Sequence, residues 1–404
     1  MKNINKLIFT SLLVLLCQYP LFAVTYTFLG TTDSQWTTPA NWDTYPGLTI
    51  GAGDEAIIAA ACMIAGTTVT NNGTITVNAT FTFIVDYILT NNSSVVVNGT
   101  LATGSTIDNE NGATITINSS GLLQTSGSNF RNKLGGTVDN SGTIQNNLLY
   151  NNFGTTNNKS GGLITNVATI NNESGGIINN ESGANINSNN FNNKTGSTFN
   201  NSSTFTTIGG GTFTNDDTVN LLTGSTFTNN SIFNNNDTFA GVGTLVQANT
   251  FNNNAGSKVV PAGNPTAGTL AITGNMNFGS ADIEADIAGD APSHDLITVS
   301  GTATIGAATE LSLNFTYAPV AYQVYDIITG NTVSGNFTPA NVSSSGMAVT
   351  DLTTINNTTS LRVTVGTVPA SDVPTLSQWG LIILALLFMT MGTLYWVHPY
   401  FRKS

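Results

Sequence analysis

Few residues in this chain have types and spacings that could do chemistry. Asp216 and Asp217 are the adjacent carboxylate pair of the central region, and Asp282, Glu284 and Asp286 alternate along one strand-like stretch. Glycoside hydrolysis needs two carboxyls across a cleft. Neighbours on a strand point to opposite faces, so Asp216-Asp217 reads as part of a turn. Lyase chemistry needs an Arg or Lys base beside metal-binding acids, yet Arg131, Lys133, Lys159, Lys194, Lys258 and Arg362 are scattered. His294 makes no triad or metal set by itself. Asp282, Glu284 and Asp286 fall on one strand face, where calcium could sit. Without a glycine-rich aspartate repeat they read as a solvated acidic face. The expectation is no catalytic residue, no cofactor and no metal.

Two further residue sets have a structural and a chemical reading. Trp36 and Trp42, near the Pro39-Ala40-Asn41-Trp42 turn, could form a sugar-stacking platform. Aromatics gathered at one end of a repeat read better as a cap over its first rung. Cys62 lies in the apolar run Ala56–Ala65, where buried packing is expected rather than a reactive thiol. Cys17 follows Leu16, where a lipoprotein signal needs a small residue.

The elements that would position these residues follow from the stretch Phe191 to Phe251. Its large apolar residues are Phe191, Phe199, Phe205, Phe213, Val219, Phe227, Phe233, Phe239, Leu245 and Phe251, in steps of 6 and 8. Asn, Thr, Ser, Gly and Asp fill the intervals. No α-helix has that period. Short strands that each place one large side chain in a common core do. The pattern extends back through Ile186, Ile178, Ile170, Ile164, Tyr150 and Ile144, with Thr156 at one intermediate position. Asn72-Gly73, Asn98-Gly99 and Asn111-Gly112 read as tight turns. Mixed steps predict a right-handed parallel β-helix with rungs of roughly 20 to 22 residues and about nine rungs, with Asn amide ladders at matching turns. An antiparallel meander is the rival.

Composition agrees with a folded β body. Charged residues are 8% of the 404, against about 25% in ordinary globular chains, but Thr, Ile, Val and Phe are abundant. The net charge is −12. Four of the ten basic residues (Lys2, Lys6, Arg402, Lys403) sit at the ends, leaving 6 against 22 acids, or −16, between them. That opposes nucleic-acid binding, which needs Lys and Arg to displace counterions.

In chain order, residues 1–23 read as a signal peptide: Lys2 and Lys6, an apolar centre Leu7–Leu16, then Ala23 before the cut. Residues 24–65 form the N-terminal cap, 66–258 the Asn/Thr/Gly-rich β-helix repeats and 259–367 a C-terminal β module of antiparallel or continuing-coil character. Residues 368–380 are a Pro-containing linker. Leu381 to Val397 is an uncharged apolar run at the lower limit for a transmembrane helix, flanked by Trp379, Tyr395 and Trp396. The basic tail 398–404 predicts a cytoplasmic end, with the body outside.

Three local patterns match known families. Val373-Pro374-Thr375-Leu376-Ser377-Gln378-Trp379-Gly380, followed by the apolar run and Arg402-Lys403, closely resembles the IPTL-CTERM sorting signal, with Val373 in place of its usual Ile. On that resemblance Val373, Pro374, Thr375, Leu376, Trp379 and Gly380 form the motif, and a sorting or processing enzyme is the implied partner. His294 to Ala303, with Tyr325-Asp326-Ile327-Ile328 and Val333–Phe337, looks like the closing segment of autotransporter-type passenger β-helices. Trp36 through Trp42 is similar to the opening of such proteins. Together these imply a bacterial, adhesin-like exported β-helix, although the chain ends in one apolar helix and not in an autotransporter barrel. The function expected is therefore a non-catalytic cell-surface or matrix protein. Its partners would be surface glycans or like proteins, and the membrane through 381–397. The alternative is a β-helical polysaccharide lyase or glycoside hydrolase.

Overall fold

A computed structural model of the protein describes residues 23–126, 129–262, 267–289 and 293–366, with Ile383 alone beyond them. The expected signal peptide 1–23, Ala23 excepted, the sorting motif at 373–380 and the basic tail lie outside the described residues. So does the apolar run 381–397, Ile383 excepted. Among the described residues no helix is long and apolar enough to cross a membrane.

The chain winds as a parallel β-solenoid of four-residue strands. One turn shows the plan. Thr198–Asn201 lies on face A, Thr204–Thr207 on face B and Thr212–Asn215 on face C. Thr218–Leu221 then returns to face A and pairs in parallel with Thr198–Asn201. A six-residue step is thus a four-residue strand plus a two-residue corner, and an eight-residue step has a four-residue corner. Face A is one sheet of fifteen strands. Faces B and C share a twenty-five-stranded sheet, because strands such as Leu163–Asn172 and Asn185–Asn193 run through their common corner. Within the repeat, face-A strands begin at residues 74, 94, 114, 137, 155, 177, 198, 218, 238 and 258, which makes nine turns of 18 to 23 residues.

The second and fourth residues of each strand point inward and the first and third outward, as a period of two requires. The second residues form the apolar core. On face C, Phe191, Phe213, Phe233 and Phe251 stack with centroids 4.9, 4.6 and 4.3 Å apart and rings within 10° of parallel. Burying each such ring stabilises the fold by roughly 1.5–3 kcal/mol.

The fourth residues are the unexpected part of the interior. On face C they are asparagines from Asn71 to Asn253, all buried, and each amide donates to the next one up the solenoid. Along Asn152, Asn172, Asn193 and Asn215 the bonds are 2.8, 2.9 and 2.9 Å. The second N–H of Asn172 goes to the Thr198 carbonyl (2.9 Å), and that of Asn193 to the Thr218 carbonyl (2.9 Å). Each ladder amide therefore ties the end of a face-C strand to the start of a face-A strand above it. Ladders were expected on the turns. The strongest is inside, where burial leaves no water to compete for the amide. Outward ladders also exist, along Asn220, Asn200, Asn179, Asn157 and Asp139, and they donate in the opposite direction.

The Asn-Gly corners divide into two kinds. Gly112 has φ +78°, the left-handed conformation expected of such a turn. Gly73 does not. A Cβ there would lie 2.2 Å from the Asp54 carbonyl oxygen, so it is glycine because the previous rung passes close by.

The ends are closed differently. Trp36 and Trp42 are buried against Phe28 and Phe83 over the first rungs, each indole N–H donating to a carbonyl (Gly47 at 2.8 Å, Trp36 at 2.9 Å). Asn41 staples the cap: its Oδ1 accepts from the Thr32 and Asp33 N–H groups, and its Nδ2 donates to Asp33 and to the Gln35 carbonyl. At the other end the coil continues through Asp282–Ile287, Glu310–Phe315 and Val342–Ser345. It then closes with antiparallel pairing of Ser360–Val365 to Val324–Ser334 and Leu352–Asn356. Both expected characters of that module are present.

Candidate functional site

The scattered cations turn out to be paired between rungs. Arg131 Nε lies 2.5 Å from Asp108, Lys159 Nζ 2.9 Å from Asp139, and Lys194 Nζ 2.6 Å from Glu173. Lys133 bonds Glu110, Lys258 bonds Glu284, and Arg362 Nε lies 2.6 Å from Asp326. Among the described residues every Lys and Arg thus has a carboxylate partner on a neighbouring strand or corner. These side chains are partly exposed, so each pair contributes about 0–1 kcal/mol. Their effect is on register.

Asp216 and Asp217 lie in the corner between Thr212–Asn215 and Thr218–Leu221, as the sequence suggested. Asp217 accepts from the Gly196 N–H (2.7 Å) and Asp216 from Asn236 Nδ2 (2.6 Å). Trp36 and Trp42 belong to the cap core, so neither ring is free to stack on a sugar. Cys62 is buried at the start of the face-B stack, paired in register with Phe83, and burial pushes its thiol well above the ordinary range.

Acids converge at one place, where Glu284 and Asp286 of the strand face picked out in the sequence are joined by Asp295, which was not. Face A of the C-terminal module carries a groove of about 410 Å³, lined by Glu284, Asp286, Asp295, Asn314 and Ser343 to Ser345 among others. Strand alternation brings Glu284 and Asp286 to it, with Asp282 beside it on the same strand and Ser312, Asn314 and Ser345 from the rungs beyond. The polar groups are chained together. Ser345 donates to Asn314 Oδ1 (2.7 Å), and Asn314 donates to Asp286 Oδ1 (2.9 Å). Ser312 donates to Asp282 Oδ2 (3.0 Å). Among the described residues no three His, Cys, Asp or Glu side chains are grouped to hold a metal ion.

Asp295 forms the wall of this groove. It is 1% exposed, and its two oxygens accept from the Gly268 N–H (2.7 Å) and the Asp286 N–H (3.0 Å). Burial pushes its carboxyl up to about 7, against those two bonds, which lower it. The residue precedes the strand Leu296–Thr304 and folds back antiparallel on Asp286 and Ile287, so alternation along Asp282–Ile287 could not place it beside Asp286. The neighbouring His294 turns away. Its Nε2 meets the Asp326 carbonyl at 3.0 Å, and its ring packs edge-on to Tyr325 at 5.3 Å.

No curated protein matches the chain. The IPTL-CTERM motif matches residues 373–395, which include all six expected motif residues, and this match together with the solenoid fits an exported β-helix protein with a sorting tail.

Proposed function

We propose that the protein is a non-catalytic display rod of the cell envelope, adhesin-like or matrix-forming, sorted or held through its C-terminal tail. The observation that carries this reading is the IPTL-CTERM motif placed after a long solenoid. The interior chemistry of that solenoid supports it. Amide ladders and inter-rung ion pairs occupy its polar groups with structure, and its outward faces offer mainly Thr and Asn. Residues 1–23 serve as the export signal, and 381–397 hold the tail in the membrane until a sorting enzyme acts on it. Surface glycans or like proteins are the partners on the outside, and the acidic charge keeps nucleic acid away.

The second reading, a polysaccharide lyase or glycoside hydrolase, has the C-terminal groove in its favour. Glu284 and Asp286 are two apart on one strand, roughly 7 Å along it, a spacing compatible with paired carboxyls. Against it, the elevated carboxyl, Asp295, is occupied by two backbone N–H groups, and the cations that could act as a base are paired.

Incubating the full chain with uronic-acid and neutral glycans tests the choice. The expected result is no turnover. Turnover abolished by Glu284→Gln or Asp286→Asn would overturn the display reading. Intact-mass measurement of protein from the envelope fraction tests the tail: a mass ending before residue 381 reads as processing and a full-length mass as retained anchoring, while a full-length chain outside every membrane fraction refutes both.

A further inference from the structure

Charge is distributed unevenly around the rod. The corner between faces C and A carries five acids, Glu110, Glu173, Asp216, Asp217 and Asp237, with Lys133 and Lys194 paired to the first two. Faces A and C carry Asp139 and the Asp108–Arg131 pair, and the corner between faces A and B carries Lys159 and Glu181. Face B is different. Its nine consecutive strand segments, from Thr82–Val85 to Thr244–Gln247, contain no Asp, Glu, Lys or Arg. The corner it shares with face C has Asp86 as its charge among the described residues, and there Tyr87, Leu148 and Val167 are 43%, 44% and 49% exposed.

We infer that face B is where a second copy of this chain docks, side by side, with the two-fold axis parallel to the rods. Three observations lead to this partner. Over residues 66–258 each copy has nine acids against five bases, a net of −4, and face B lets two copies meet with those charges on other faces and corners. The corner between faces C and A lies across the core, beyond a sheet spacing of ~10 Å, which is about one Debye length at 0.1 M salt. Next, the partner must match a surface that repeats at every rung, and another copy has the same repeat at every level. Finally, eight rung steps at ~4.8 Å and a face ~14 Å wide give about 500 Å² per copy. The B/C corner adds to this, which brings the pair past the ~1,000 Å² that a specific interface requires. Parallel alignment also sends both sorting tails off the same end. The inference therefore rests on the display reading and names the like-protein partner within it.

Cysteine cross-linking of the full chain in intact cell envelopes tests this. In the two-fold arrangement Gln145 and Thr206, outward on face B, each meet their own counterpart. Gln145→Cys and Thr206→Cys should form disulfide-linked dimers on mild oxidation, well above the unsubstituted chain. Asn157→Cys on face A and Asn171→Cys on face C should not. Thr165→Lys with Thr206→Lys should weaken dimerisation of the detergent-solubilised chain by roughly tenfold or more in sedimentation, while Thr198→Lys with Thr218→Lys on face A leaves it unchanged. Absence of cross-links at both face-B positions, or equal cross-linking on faces A or C, overturns the proposal. Glycan turnover, which would refute the display reading, is a separate readout and leaves the cross-linking result interpretable.

Discussion

Tyr150 and Thr156 meet hydroxyl to hydroxyl inside the solenoid, both fully buried. Tyr150 occupies a face-C slot between Phe130 and Ile170, and Thr156 a face-A slot between Val138 and Ile178. Thr156 Oγ1 donates in turn to Asn152 Oδ1 at 2.9 Å, so the phenol is joined to the inner amide ladder. A threonine in an apolar stack thus exists because a tyrosine lies in the adjoining one. Thr156→Val leaves the phenol buried without a partner and should cost about 1–3 kcal/mol. Tyr150→Phe with Thr156→Val together should cost less than Thr156→Val alone. Urea midpoints of the three variants check this, and additive losses would refute the coupling.

Asn172 shows what the inner ladder contributes. It accepts from Asn152, and donates to Asn193 and to the Thr198 carbonyl. Asn172→Ala removes all three bonds, taking a partner from the Asn152 amide, from Asn193 Oδ1 and from the Thr198 carbonyl, at a cost of about 2–4 kcal/mol. Asn171→Ala, one residue away on the outside, loses two bonds to Asn151 and Asn192 that water can replace. Its cost should stay within about 1 kcal/mol. Equal losses of stability in the two variants would show that the inner ladder has no special role.

The contrast also explains what the sequence disclosed. The Phe spacing was enough to yield the strands, the inward slots and the nine-turn repeat, because apolar side chains at wide, regular steps in a polar chain have one economical arrangement. The function of the asparagines was not legible. Asn172 and Asn171 are the same residue type one position apart, and only strand alternation sends one inward. The paired cations were hidden for a related reason: Lys194 and Glu173 are 21 residues apart and become neighbours only once the turn length is known. Asp295 was hidden most completely, since a local antiparallel pairing rather than the repeat brings it to Asp286.

Cys62 offers a test of the N-terminal cap. It is 1% exposed beneath the tryptophan cluster, and burial raises its thiol away from the reactive thiolate form. Thiol reagents at pH 8 should label it only when the cap opens. Trp36→Ala removes the ring that contacts Trp42 and Phe83 and should speed labelling at least several-fold, with far-ultraviolet circular dichroism retained. Rapid labelling of the unsubstituted chain would show that the cap is not closed in solution.

Asp295 makes stability depend on pH in a direction opposite to that of most carboxylates. Its folded-state pKa, about 7, lies above the unfolded value near 3.9. The folded state therefore holds the proton more tightly than the unfolded chain. The stabilisation from this group is fully present below pH ~4 and is lost as pH rises to 7, above which it contributes nothing further. Chemical denaturation between pH 4 and 8 should show a component that falls with pH and levels off above 7. Asp295→Asn removes the titration, so this falling component should vanish in that variant. Its overall stability should also drop, because an amide offers one acceptor where the Gly268 and Asp286 N–H groups require two. A pH profile parallel to that of the unsubstituted chain would show that Asp295 ionises at an ordinary carboxylate pKa in the folded protein.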